Sequence, residues 1–232
     1  MVSLMEKVNA KILSEPILSR RGQFTAEYED FLVEGLNRAS ANPYHPTKNP
    51  KGIVNMGTAV NALMEEELAT RLMQGDCFNY TPHHQHYYDF TGVLPLKEAV
   101  ANFLTRHQHP LKPIIPENLI VLSGVTSCLD AMSHVLCDPY DVVITTTPVY
   151  GRIYTDFHDV RQAKIEPLHL RQEEDETGES FSLKAKDLDE RIVSLKNSGK
   201  NVRVFILLHP QNPLGDIYSP ELIMQLLHVC AK

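Results

Sequence analysis

The chain has 232 residues, 43% hydrophobic and 22% charged, an ordinary globular balance that excludes a disordered or fibrous protein. Its formal net charge is −7 with acids and bases interspersed, so no basic field exists to hold nucleic-acid phosphates or an anionic membrane surface. Small-molecule chemistry is the natural expectation. Cys77, Cys128, Cys137 and Cys230 lie far apart, which reads as free thiols in a reducing compartment rather than a zinc site or redox pair. Lys7, Lys11 and Glu15 interrupt Ile12, Leu13, Ile17 and Leu18, so neither a signal-peptide core nor a membrane span forms and a cytoplasmic protein is expected.

Phe24, Tyr28, Phe31, Leu32 and Leu36 recur at helical spacing and predict a helix over 24–38, ended by Asn42-Pro43 and Pro46. A short extended piece is expected at 53–56, a helix over 61–73 from an Asn61 cap, and another over 94–106. From Asn118 the rhythm changes to short apolar runs alternating with helical patterns. Strands are predicted at 118–123, 141–146, 164–170 and 202–208, each followed by a helix, at 127–136, 150–157, 183–195 and 220–229. Such alternation is the pattern of βαβ units and a mostly parallel sheet. The polar stretch 171–179 reads as a solvated loop. Ser219-Pro220-Glu221 supplies a hydroxyl cap, a first-turn proline and an acid at the positive end of the last helix. An alternating sheet calls for another strand soon after Lys232, so the chain reads as cut short. The division expected is 1–115 and 116–232.

Three strand ends carry residues suited to a ligand. Val121-Leu-Ser-Gly124-Val125-Thr126-Ser127 turns from strand to helix so that backbone N–H groups and hydroxyls point toward an anion. Tyr150 follows Thr147-Pro148, where its ring projects above the sheet edge. Asn212 sits in His209-Pro-Gln-Asn-Pro-Leu-Gly215, a loop stiffened by two prolines and a glycine. Each has a plain reading alone: turn punctuation, packing, a turn asparagine. Three at successive strand ends suggest one ligand.

The last of these motifs resembles the asparagine–proline loop of aspartate-aminotransferase-like enzymes that use pyridoxal 5'-phosphate (PLP). Tyr88-Asp-Phe-Thr-Gly92-Val-Leu-Pro-Leu-Lys-Glu-Ala-Val, Val54-Asn-Met-Gly-Thr-Ala-Val-Asn61, Leu122-Ser-Gly-Val-Thr126 and Thr146-Thr-Pro-Val-Tyr150 follow in that family's order. Within it the chain is most similar to 1-aminocyclopropane-1-carboxylate (ACC) synthases and the animal ACC-synthase-like proteins, over roughly residues 20 to 232. The resemblance implies an α/β fold of the PLP-dependent transferase type I class, a mostly parallel sheet sandwiched by helices. Residues 1–115 would form an N-terminal arm and helical small-domain segment, and 116–232 the first half of the PLP-binding domain. It implies that Ser123, Gly124, Val125 and Thr126 hold the cofactor phosphate, that Tyr150 stacks on the pyridine ring, and that Asn212 bonds the phenolic oxygen. It also implies an amino-acid or 2-oxo-acid substrate and a homodimer.

The sequence departs from the ACC synthases at two positions. Val60 stands where their Ala-Glu-Asn-Gln segment has a glutamate, and Phe90 where their Asp-Tyr-His-Gly has a tyrosine. Losing a carboxylate or hydroxyl partner costs roughly 2–4 kcal/mol of discrimination, which argues against ACC synthesis. The family's Schiff-base lysine belongs to a segment expected beyond Lys232. Lys184, Lys186, Lys196 and Lys200 fall in or beside a predicted surface helix and are poor candidates for its role. Two readings follow: a PLP-dependent transferase or lyase acting on an α-amino acid, or a noncatalytic paralogue that at most binds PLP or a full-length subunit. A nicotinamide site lacks the Gly-x-Gly-x-x-Gly turn. His83-His84-Gln85-His86 reads as loop polarity rather than a metal site.

Overall fold

The computed structural model describes residues 17–28, 31–77, 79–158, 161–175 and 178–232. In chain order the helices are α1 (Arg20–Glu27), α2 (Phe31–Ala41), α3 (Glu65–Leu72), α4 (Leu94–Gln108), α5 (Gly124–Leu136), α6 (Arg152–His158), α7 (Ala185–Asn197) and α8 (Pro220–Cys230). The strands are β1 (Val142–Thr147), β2 (Lys164–His169), β3 (Arg171–Asp175), β4 (Gly178–Ser182) and β5 (Val202–Ile206). Two compact units result, Met1–Tyr28 with Ser123–Lys232, and Glu29–Leu122. No helix among the described residues is long and apolar enough to cross a membrane.

In the first unit β1 is the middle of a parallel sheet ordered β2-β1-β5. Its Val-Val-Ile-Thr-Thr run is buried throughout, as suits a strand covered on both faces by β-branched side chains. Alternation splits that run between two cores. Val142 and Ile144 pack with Leu188 and Leu195 of α7, Leu226 of α8 and Tyr218. Val143 packs with Phe157 of α6 and Ala163, flanked by Leu129 of α5. Helices α5 and α6 therefore cover one face and α7 and α8 the other. The α8 start follows its sequence signals, with Ser219 Oγ accepting from the Leu222 N–H at 3.2 Å and Pro220 in the first turn.

Three elements differ from expectation. The helix predicted over 24–38 is two helices, α1 and α2, because Tyr28 is extended (φ −69°, ψ 119°) and caps α1. The strand predicted at 118–123 does not form: Pro116–Asn118 is a 3-10 turn and Leu119–Leu122 carries no ladder. There the Val121 N–H donates to the Thr91 carbonyl at 2.9 Å, and without a neighbouring strand an apolar run cannot satisfy its backbone as sheet. The stretch read as a loop at 171–179 forms the antiparallel pair β3–β4 instead. Cross-strand pairing and a bidentate Arg171–Asp187 contact hold this polar ribbon to α7. That contact raises Arg171 and lowers Asp187 from their ordinary pKa values. Asn61 precedes a 3-10 turn (Ala62–Met64) rather than capping α3 through its side chain.

In the second unit Lys97 of α4 is buried, which an ammonium tolerates only with partners. Its Nζ donates to Thr91 Oγ1 at 2.9 Å and to Asp89 Oδ2 at 3.4 Å. Gly92 (φ +119°) closes the turn beneath Val121, whose side chain lies 2.9 Å from where a Cβ would stand. The Asp89 carboxyl is held below its ordinary value by the Thr91 N–H, then by the Thr91 hydroxyl, with Lys97 adding to both. A folded-state pKa lowered in this way means the native state binds fewer protons. The stabilisation is therefore complete above the ordinary value of 3.8 and lost as pH falls through the folded one. Asp89→Asn should flatten the acid limb of stability against pH in urea unfolding followed from about pH 5 down to about pH 2. An unchanged acid limb would show that the contact contributes nothing.

Candidate active site

Helix α5 opens on Gly124 in a left-handed conformation (φ +83°), with nothing within 4 Å of where a Cβ would lie. Only glycine adopts this turn without strain. The first-turn N–H groups that follow have no intrahelical acceptor and carry the positive end of the helix dipole. Ser123 does not cap them through its side chain; its carbonyl instead accepts from Ser127 Oγ at 3.1 Å. Ser123, Gly124, Val125 and Thr126 are all solvent-exposed. An anion has an open approach to these amides.

The Thr126 hydroxyl donates to Asp156 Oδ2 of α6 at 3.2 Å, and Arg152, one turn earlier, reaches the other oxygen, Asp156 Oδ1, at 3.3 Å. The Asp156 carboxylate is buried, so it needs both partners. This chain of contacts ties the α5 start to the segment that follows β1. Tyr150 lies in that segment, exposed, just before α6; its carbonyl accepts from the Ile153 N–H at 3.1 Å.

Asn212 is exposed in the loop after β5, which runs beside β1 in parallel, so the Tyr150 and Asn212 loops leave the same sheet edge. The peptide bonds before Pro148, Pro210 and Pro213 are cis. Gln211, next to Asn212, is buried. Its Nε2 donates to the Pro148 carbonyl and its Oε1 accepts from the Leu214 N–H, both at 2.6 Å. Its backbone closes the loop, with the Gly215 N–H on its carbonyl at 2.7 Å and its own N–H on Asp216 at 2.8 Å. His209 stacks on Tyr218 with ring centroids 5.7 Å apart and accepts the Tyr218 N–H. Burial pushes the Tyr218 phenol up, opposed by the Thr146 hydroxyl.

All of Ser123, Gly124, Val125, Thr126, Tyr150 and Asn212 thus belong to one unit, and side-chain hydrogen bonds join their three segments. Sequence reasoning missed the joints. Arg152 and Asp156 are spaced i, i+4, a visible helical ion pair, while Gln211 lay inside a quoted motif with no role assigned. Lys184, Lys186, Lys196 and Lys200 are exposed, and Lys184, Lys186 and Lys200 pair with Glu173, Glu190 and Glu166. Val60 and Phe90 are exposed in the other unit, and the Tyr88 hydroxyl is committed to the His83 carbonyl at 2.6 Å. His83 packs edge-on against Tyr88, and His84 Nδ1 accepts the Thr81 N–H at 2.9 Å.

The family model for aminotransferase class I and II matches residues 23–232. The mouse 1-aminocyclopropane-1-carboxylate synthase-like protein 1 is 35% identical over 218 residues, covering 93% of this chain and 43% of that protein. A second mouse relative, named "Probable inactive 1-aminocyclopropane-1-carboxylate synthase-like protein 2", is 32% identical over 93% of this chain and 37% of its own length. An archaeal alanine:glyoxylate aminotransferase structure superposes with a TM-score of 0.66 at 26% identity, covering 92% of this chain and 49% of that one. The chain thus spans less than half the length of these curated relatives. It belongs to the class I and II aminotransferases, the PLP-dependent family whose α/β fold its parallel sheet and flanking helices share.

Proposed function

We propose that this edge of the sheet binds pyridoxal 5'-phosphate, and that the protein serves amino-acid metabolism as a cytoplasmic homodimer handling an α-amino acid and a 2-oxo acid. One observation carries the reading: the three segments expected to touch the cofactor are locked together by buried Gln211 and buried Asp156. The donor set fits the group. Open N–H groups of the α5 first turn, with Ser123 and Thr126 beside them, suit a phosphate. The exposed Tyr150 ring suits a face of the pyridine, and the Asn212 amide suits its phenolic oxygen. When bound, PLP supplies an electron sink for bonds broken at the amino acid's α-carbon.

The residues of this chain would bind and orient rather than transfer protons. Lys184, Lys186 and Lys200 are exposed and each is engaged by a carboxylate. Val60 and Phe90 favour transamination over cyclopropane formation for the whole protein, and they equally suit a noncatalytic paralogue.

The test uses the chain's nine tyrosines and lack of tryptophan. Titration with PLP should quench tyrosine emission saturably, with inorganic phosphate competing. Borohydride followed by peptide mapping should then label no single lysine. Failure to saturate would refute the binding site, and stoichiometric labelling of one lysine would refute the noncatalytic role of these residues.

A further inference from the structure

We propose that Gln211 is a positioning residue that makes the Tyr150 and Asn212 loops one rigid part, so that the cofactor's ring face and its phenolic oxygen are gripped in fixed relation. The proposal rests on the PLP reading above. Gln211 is 2% exposed, and its amide is used at both ends. The NH2 end reaches across to the Pro148 carbonyl, two residues before Tyr150, and the oxygen end folds back onto the Leu214 N–H of its own loop, each at 2.6 Å. The two loops follow neighbouring parallel strands, yet strand pairing stops at Thr145 and Ile206. Beyond that point no backbone hydrogen bond joins the two loops among the described residues, and this side chain spans the gap.

A planar amide is suited to the task because one end donates and the other accepts at fixed separation. Truncation or an apolar substitute leaves the Pro148 carbonyl and the Leu214 N–H without their partner in a dry place. Neither residue touches the cofactor in this arrangement. The effect travels through Tyr150 and Asn212, each placed by one end of the same group.

Two variants separate the two ends. Gln211→Met keeps the bulk and removes both bonds. Gln211→Glu keeps an acceptor for Leu214 and removes the donor to Pro148. Amide hydrogen exchange reads each loop: Ile153 and Tyr154 donate to the Tyr150 and Gly151 carbonyls, while Leu214 and Gly215 report the other loop. In Gln211→Met exchange should quicken at both places, with the central strand β1 unchanged, and PLP affinity from tyrosine quenching should fall roughly tenfold. In Gln211→Glu only the Ile153 and Tyr154 amides should quicken.

Faster exchange confined to Leu214 and Gly215 in Gln211→Met would overturn the proposal, reducing Gln211 to a local loop cap. Unchanged PLP affinity in Gln211→Met would overturn it as well. If the unaltered chain shows no saturable PLP binding, the cofactor reading fails, while the exchange pattern alone still decides whether Gln211 couples the loops. Should Gln211→Met unfold outright, Gln211→Glu decides, and unchanged exchange at Ile153 and Tyr154 there would overturn the proposal.

Discussion

Phe157→Ala is expected to lower stability by roughly 3–5 kcal/mol, the cost of emptying a large aromatic site that cannot collapse. Phe157 is 1% exposed and fills the space between α6, Val143 of the central strand and Ala163. The ring also seats the helix carrying Asp156, the residue before it, which holds the Thr126 hydroxyl. PLP affinity should therefore fall with stability, even under conditions where the variant remains folded. Urea unfolding together with PLP titration checks both. A loss under about 1 kcal/mol would mean that α6 repacks freely.

Leu188→Ala should cost a similar roughly 2–5 kcal/mol with a smaller effect on the candidate site. Leu188 is fully buried on α7, in the core shared with Val142 and Ile144 on the other face of the sheet. Of the candidate-site segments only the Asn212 loop meets that core, through Leu214. The folded variant should lose less PLP affinity than Phe157→Ala, so the pair of substitutions separates damage to the sheet from damage to the α5–α6 side of the site. An equal loss of binding in Leu188→Ala would show that the site depends on the whole sheet rather than on α5, α6 and their joints.

Much of this could be read from the sequence, for reasons that differ by element. The βαβ rhythm after Asp141 was legible because a strand buried on both faces leaves an unbroken β-branched run, as Val142–Thr147 shows. The cap of α8 was legible because Ser219 and Pro220 act locally. Leu119–Leu122 misled for the converse reason: apolar composition records a wish to be buried, whereas ladder formation depends on a neighbour the local sequence does not name. The ribbon β3–β4 misled because its polar residues are stabilised by cross-strand pairs and by Asp187, sixteen positions from Arg171. At the candidate site, Thr126, Tyr150 and Asn212 were proposed from motif order. Gln211 and Asp156 were not, because a strut is recognised by what it spans, and Pro148 lies sixty-three positions from Gln211.

The assembly of the first unit from Met1–Tyr28 and Ser123–Lys232 also sets a schedule for the ribosome. Phe24 and Tyr28 of the α1 region share a cavity wall of about 400 Å³ with Tyr154, Lys164 and Ile165, all of which are synthesised much later. At about 5–20 residues per second, the roughly 130 residues between Tyr28 and that surface keep α1 waiting on the order of 6–27 seconds. The intervening Glu29–Leu122 unit is complete before that surface is made, so it can fold while α1 still waits. Nascent chains stalled just before Tyr154 should therefore protect α4 from proteases while leaving α1 open to cleavage.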